Sequence, residues 1–89
     1  MLSELKRHVQ SCGDYAPVMH RHGLSESLVV DIDAAHRLGR FTAWNDGSCV
    51  LEVMDALDGC YVINERMDLS GSAELVAAFR MFLLQMACT

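Results

Sequence analysis

Two glycine turns constrain this chain more than any other feature. Asn45-Asp46-Gly47 and Asp58-Gly59 each stand between short runs whose side chains alternate at period two. Such dipeptides reach the positive φ that tight hairpins require, so alternating runs on either side become antiparallel neighbours. Before the first turn, Leu28, Val30 and Ile32 alternate with Val29, Asp31 and Asp33. In the run Arg37 to Trp44, Phe41 and Ala43 alternate with Arg40, Thr42 and Trp44. Cys49 to Met54 and Tyr61 to Met67 complete the set. The pattern predicts four strands in an antiparallel meander.

Both flanks read at helical spacing. Leu2, Leu5, Val9 and Cys12 recur on one face, and Gly13 offers a stop. Beyond it, Asp14 can cap a second short turn that tolerates Pro17 and ends at Gly23, so residues 2–22 form either one bent helix or two. At the other end, Ser70 or Ser72 caps a helix carrying Leu75, Phe79, Phe82, Leu83 and Met86 as a broad apolar stripe. The expected fold is α+β, with N-terminal and C-terminal helices on one face of the four-stranded sheet (α-β-β-β-β-α), as a single domain of residues 1–89.

The turns also imply a register. Trp44 then faces Ser48, Thr42 faces Val50 and Arg40 faces Glu52, while a loop at Ala34 to His36 sets Asp31 beside Arg40. Closing the next hairpin near Asp58-Gly59 sets Met54 against Cys60, Glu52 against Val62, and Cys49 near Glu65. Parity assigns Val30, Ile32, Phe41, Ala43, Leu51, Val53, Tyr61 and Ile63 to the helix-covered face. Asp31, Asp33, Arg40, Thr42, Trp44, Val50, Glu52, Met54, Val62, Asn64 and Arg66 fall on the other. That open face holds a charged row, Asp31–Arg40–Glu52, beside a tryptophan and several apolar groups. This is the composition of an interaction surface, although a cross-strand charge ladder and a tryptophan closing the core would look alike.

Composition narrows the function. Seven Lys+Arg against twelve Asp+Glu give a net charge of −5, which repels phosphate backbones and suits a basic protein partner. Neither nucleic acid nor membrane is an expected partner. The opening MLSELKRHVQ lacks the apolar run of a secretory signal, and Cys12, Cys49, Cys60 and Cys88 form no CxxC pair and no expected disulfide, so a cytoplasmic location is expected. His20 with His22, and His8 with Cys12, are the spacings a metal could use, but neither pair has further ligands at a recognisable distance. Asp31 and Asp33 lack the surrounding oxygen ligands of a calcium loop, and no phosphate-binding glycine loop or nucleophile–base pair is visible. No enzyme activity, cofactor or metal is expected.

Residues 39–86 resemble the TriTu family of bacterial immunity proteins. The matching features are the strand and turn at Phe41, Trp44 and Gly47, the hairpin at Leu51, Glu52, Val53, Asp55 and Gly59, and a closing helix after a Ser/Gly-rich joint. The resemblance implies protection of a bacterium against an ADP-ribosyltransferase toxin that modifies elongation factor Tu and is delivered between competing cells by a contact-dependent system of the type VI, Rhs kind. It implies a cytoplasmic inhibitor that occludes the toxin's cleft in a 1:1 complex and needs no catalytic residues. The residues expected to touch the toxin are Asp31, Asp33, Arg40, Trp44, Glu52, Asn64 and Arg66 on the open face, with loop acids Asp46, Asp55 and Asp58. Two rival classes fit the same composition: a small acidic secretion or effector chaperone, and a metal-dependent enzyme built on His20, His22 and nearby acids.

Overall fold

The computed structural model describes residues 2–87. Helix α1 (Leu2–Cys12) leads into strands β1 (Val18–His22), β2 (Ser25–Asp33), β3 (Arg37–Trp44), β4 (Ser48–Asp55) and β5 (Tyr61–Asp68), and helix α2 (Ser72–Ala87) closes the chain. The strands pair antiparallel in the order β1-β2-β3-β4-β5. The class is the expected α+β meander between two helices, but with five strands rather than four. Residues 18–22, read from sequence as the end of a helix, are the fifth. A segment this short after Pro17 makes a poor helix. As a strand it satisfies the backbone edge of β2 and places Met19 opposite Leu28. The Gly23-Leu24 loop closes that hairpin, with Gly23 at φ 61°. The N-terminal helix is therefore single, and it ends at Cys12, one residue before Gly13.

Side-chain parity divides strands β2 to β4 as expected. Leu28, Val30, Phe41, Ala43, Cys49, Leu51 and Val53 turn toward the helices and are buried. Helix α1 contributes Leu2, Leu5 and Val9; α2 contributes Leu75, Ala78, Phe79, Phe82 and Met86. Three phenylalanines join the layers. Phe79 stacks on Phe41 with ring centroids 5.4 Å apart, and Phe82 lies 5.8 Å from Phe41 and 6.0 Å from Phe79. Tyr15 and His8 meet Phe79 edge-on at 6.2 and 6.3 Å.

Helix α2 is fixed at both ends. The Gly71 carbonyl accepts the Leu75 amide at its start, so Gly71, not Ser70 or Ser72, holds the cap position. The two serines act beside it: the Ser70 hydroxyl donates to Glu74, and the Ser72 hydroxyl donates to Glu4 of α1. The last turn of α2 has no basic residue of its own. Arg37 of β3 supplies the cation, donating from Nη1 to the Gln85 carbonyl at 2.5 Å, where the helix dipole favours positive charge.

Gly39 makes the close approach of β3 and α2 possible. A methyl group there would lie 2.9 Å from Phe82 Cε1 and Cζ and closer still to Met86 Sδ. Gly39→Ala should therefore destabilise the fold by about 1–3 kcal/mol through overpacking. Urea denaturation checks this, and an unchanged midpoint would show that α2 shifts without cost.

The β4–β5 register departs from expectation. Glu52 pairs with Asn64 rather than Val62, and Cys49 with Met67 rather than Glu65. The chain uses a longer loop than a tight Asp58-Gly59 hairpin. The Asp55 carboxylate accepts the Leu57 amide at 2.8 Å, Asp58 accepts the Cys60 amide at 2.8 Å, and Gly59 sits at φ 73°. A slip of two residues preserves parity, so Ile63 still faces the core beside Val53. A bulge between Val53 and Met54 breaks that parity at one end. Met54 pairs with Tyr61 rather than Cys60, and Tyr61, expected under the helices, turns to the open face.

Candidate functional site

Both helices pack on the same sheet face, and among the described residues nothing covers the other. On it, the cross-strand row Asp31–Arg40–Glu52–Asn64 runs over β2 to β5. Arg40 donates from Nε to Asp31 Oδ1 at 2.7 Å and from Nη2 to Oδ2 at 3.3 Å. That hydrogen bond, with the adjacent carboxylate charge, raises the Arg40 pKa further above its ordinary value. The pair is exposed on both sides, so it contributes little to stability and serves mainly to hold Arg40 in place.

Beside this row lies a second, Asp33–Leu38–Met54–Tyr61. Together the two rows enclose a depression of about 410 Å³ lined by Asp31, Asp33, Leu38, Arg40, Glu52, Met54 and Tyr61. Three of the anticipated acids, Asp31, Asp33 and Glu52, thus converge with Arg40. Leu38 and Tyr61 were not anticipated. Alternation with Arg40 placed Leu38 on this face in the sequence itself; nothing in the sequence announced the bulge that brings Tyr61.

The remaining anticipated residues lie apart from the depression. Val29, Thr42, Val50 and Arg66 form the next row, and Trp44 follows opposite Ser27. The Arg66 guanidinium lies 5.5 Å from the Trp44 ring centroid, a cation–π contact across the far end of the face. Asn64 is exposed beside Glu52. The loop acids Asp46, Asp55 and Asp58 serve the turns. Asp46 Oδ1 accepts both the Ser48 amide at 2.9 Å and the Ser48 hydroxyl at 2.6 Å.

These Ser48 bonds hold the Asp46 carboxyl below the usual carboxylate range. A lowered folded-state pKa means stability that is present above the ordinary value of 3.8 and lost as pH falls through the lower folded value. Asp46→Asn should remove that component. The thermal midpoints of variant and parent should converge as the pH drops through this window, and a pH-independent gap in melting scans would refute the assignment.

Histidine and cysteine geometry offers little for metal chemistry. The Cys12 thiol lies 3.3 Å from His8 Nε2, joining the anticipated helical pair. Among the described residues, no group of three or more His, Cys, Asp or Glu side chains comes together as a metal site. Cys12, Cys49 and Cys60 are free thiols, and burial raises the Cys49 pKa. Cys88 lies outside the described residues. No helix among the described residues is long and apolar enough to cross a membrane.

Fold and site together define a helix-backed antiparallel sheet that presents a charged and aromatic face to its surroundings. The chain belongs to the TriTu family of immunity proteins: the model described as "Immunity protein TriTu" matches residues 7–85. The match extends the resemblance of residues 39–86 back through β2 and β1 to the second half of α1, and so covers most of the chain. No curated protein matches it. Membership assigns an immunity function, with a cognate toxin as the partner.

Proposed function

We infer that this chain, acting as a single domain in the bacterial cytoplasm, neutralises an ADP-ribosyltransferase toxin by seating its open sheet face over the toxin's active site in a 1:1 complex. The observation that carries this reading is the uncovered face itself. It combines a fixed arginine, the acids Asp31, Asp33 and Glu52, and the half-buried Trp44 stacked with Arg66, all on rigid strands. Charged rims around aromatic anchors are what protein interfaces use. A net charge of −5 suits a basic cleft and speeds encounter with it. Inhibition by occlusion demands complementarity and no catalytic group. Elongation factor Tu as the toxin's target follows from the family resemblance.

The test is co-expression with a candidate ADP-ribosyltransferase toxin domain. The expected result is cell survival, a co-purifying complex with the mass of one copy of each chain, and loss of ADP-ribosylation of elongation factor Tu in a purified assay. A complex that forms while the toxin keeps turning over NAD would overturn occlusion. Inhibition of a toxin with no transferase activity would overturn the toxin class.

A further inference from the structure

We propose that the depression at the β2–β5 end of the open face receives a single arginine side chain of the cognate toxin, an assignment that rests on the immunity reading above. Its chemistry is divided. One part is acidic: Asp31, Asp33 and Glu52 face it. The other is apolar or aromatic: Leu38, Met54 and Tyr61. An arginine has the same division, with an alkyl stem that favours apolar contact and a flat guanidinium that favours carboxylates and aromatic faces.

The acids are not equivalent. Asp31 is engaged by Arg40. Among the described residues, neither Asp33 nor Glu52 has an ion pair or a side-chain hydrogen bond. Counting Asp31 and Arg40 as one neutral pair, the depression keeps two uncompensated carboxylates. Glu52 lies opposite Arg40 and acts on its charge, but the hydrogen bonds of that guanidinium go to Asp31. A cation entering from outside would balance the remaining negative charge, and a guanidinium can bridge two carboxylates at once.

The β-bulge is an independent pointer. It re-aims Tyr61 onto this face and leaves it 52% exposed at the rim, across Met54 from Leu38 at 42%. Bulges that redirect one side chain recur where strands carry a functional group. Here the redirected ring provides the aromatic surface over which a guanidinium stacks. A lysine fits less well, because an ammonium neither stacks as a plane nor bridges two carboxylates.

Two measurements test the assignment. In the first, ¹⁵N-labelled protein is titrated with L-arginine amide and, separately, with L-lysine amide. Saturable shifts centred on Asp33, Glu52 and Tyr61 are expected with arginine amide and at least severalfold weaker with lysine amide. Equal responses, or none, would overturn the guanidinium site. In the second, the toxin domain is bound to the parent chain and to a folded Asp33→Asn, Glu52→Gln double variant. A loss of affinity of tenfold or more is expected. Undiminished affinity in the double variant overturns the arginine pocket and leaves the immunity reading standing. A parent chain that binds no toxin overturns both.

Discussion

Phe79→Ala should destabilise this protein more than any other single truncation considered. Phe79 is fully buried and lies where both helices meet the sheet, stacked on Phe41, beside Phe82, and met edge-on by Tyr15 and His8. Truncating such a ring costs about 3–5 kcal/mol, from lost transfer free energy and from a cavity that rigid neighbours cannot close. The neighbours here come from three elements and the α1–β1 connection, so collapse in one direction opens a gap in another. A domain of this size has a total stability on the order of 4–13 kcal/mol. The variant should therefore sit near the edge of folding at room temperature. Urea denaturation followed by circular dichroism measures it, and a loss below about 1.5 kcal/mol would mean that the core repacks far more freely than this geometry suggests.

The second large effect concerns the proposed interface. Trp44→Ala should weaken toxin binding by about 2 kcal/mol or more, roughly a thirtyfold rise in Kd. Tryptophan offers large rigid area at small entropic cost, and Arg66 already holds this ring in place. The substitution should leave the fold largely intact, because Trp44 is half-buried on the face away from the helices. Calorimetric titration of the toxin domain, with a melting scan as the folding control, separates the two consequences. Unchanged affinity in a folded variant would move the interface elsewhere on the surface.

The expectations that succeeded share one physical basis. Arg40 opposite Glu52 and Asp31 beside Arg40 followed from turn chemistry, because a short loop fixes which residues pair. Period two then assigned every later residue of those strands to a face. The α2 stripe was equally plain: Leu75, Phe79, Phe82 and Met86 are buried, and Leu83 packs partly buried against them. Where expectation failed, local signals were overruled by long-range ones. Val18 to His22 carry no strong preference of their own, and the unpaired edge of β2 decided their state. The Asp58-Gly59 pair marked a turn correctly, but Asp55 and Asp58 lengthened it through their carboxylates, and the β4–β5 register moved by two residues.

The candidate site divides in the same way. Asp31, Asp33, Arg40 and Glu52 were legible as a group because they obey simple alternation on paired strands. Tyr61 was assigned to the wrong face because a bulge adds one residue to a strand without any compositional mark. Asp46, Asp55 and Asp58 looked like free surface acids, yet each accepts hydrogen bonds within its own turn.

Sequence alone thus determined the four central strands of the meander, their alternating faces, the apolar stripe of the C-terminal helix and the acidic balance, since each depends on periodicity, turn dihedrals or charge within a few neighbouring residues. Tertiary structure decided the fifth strand, the bulge, the close fit of Gly39 under α2 and the depression beside Tyr61. Those features depend on which backbone edges and side chains remain unsatisfied once the rest of the chain has packed, and no local window of residues contains that information.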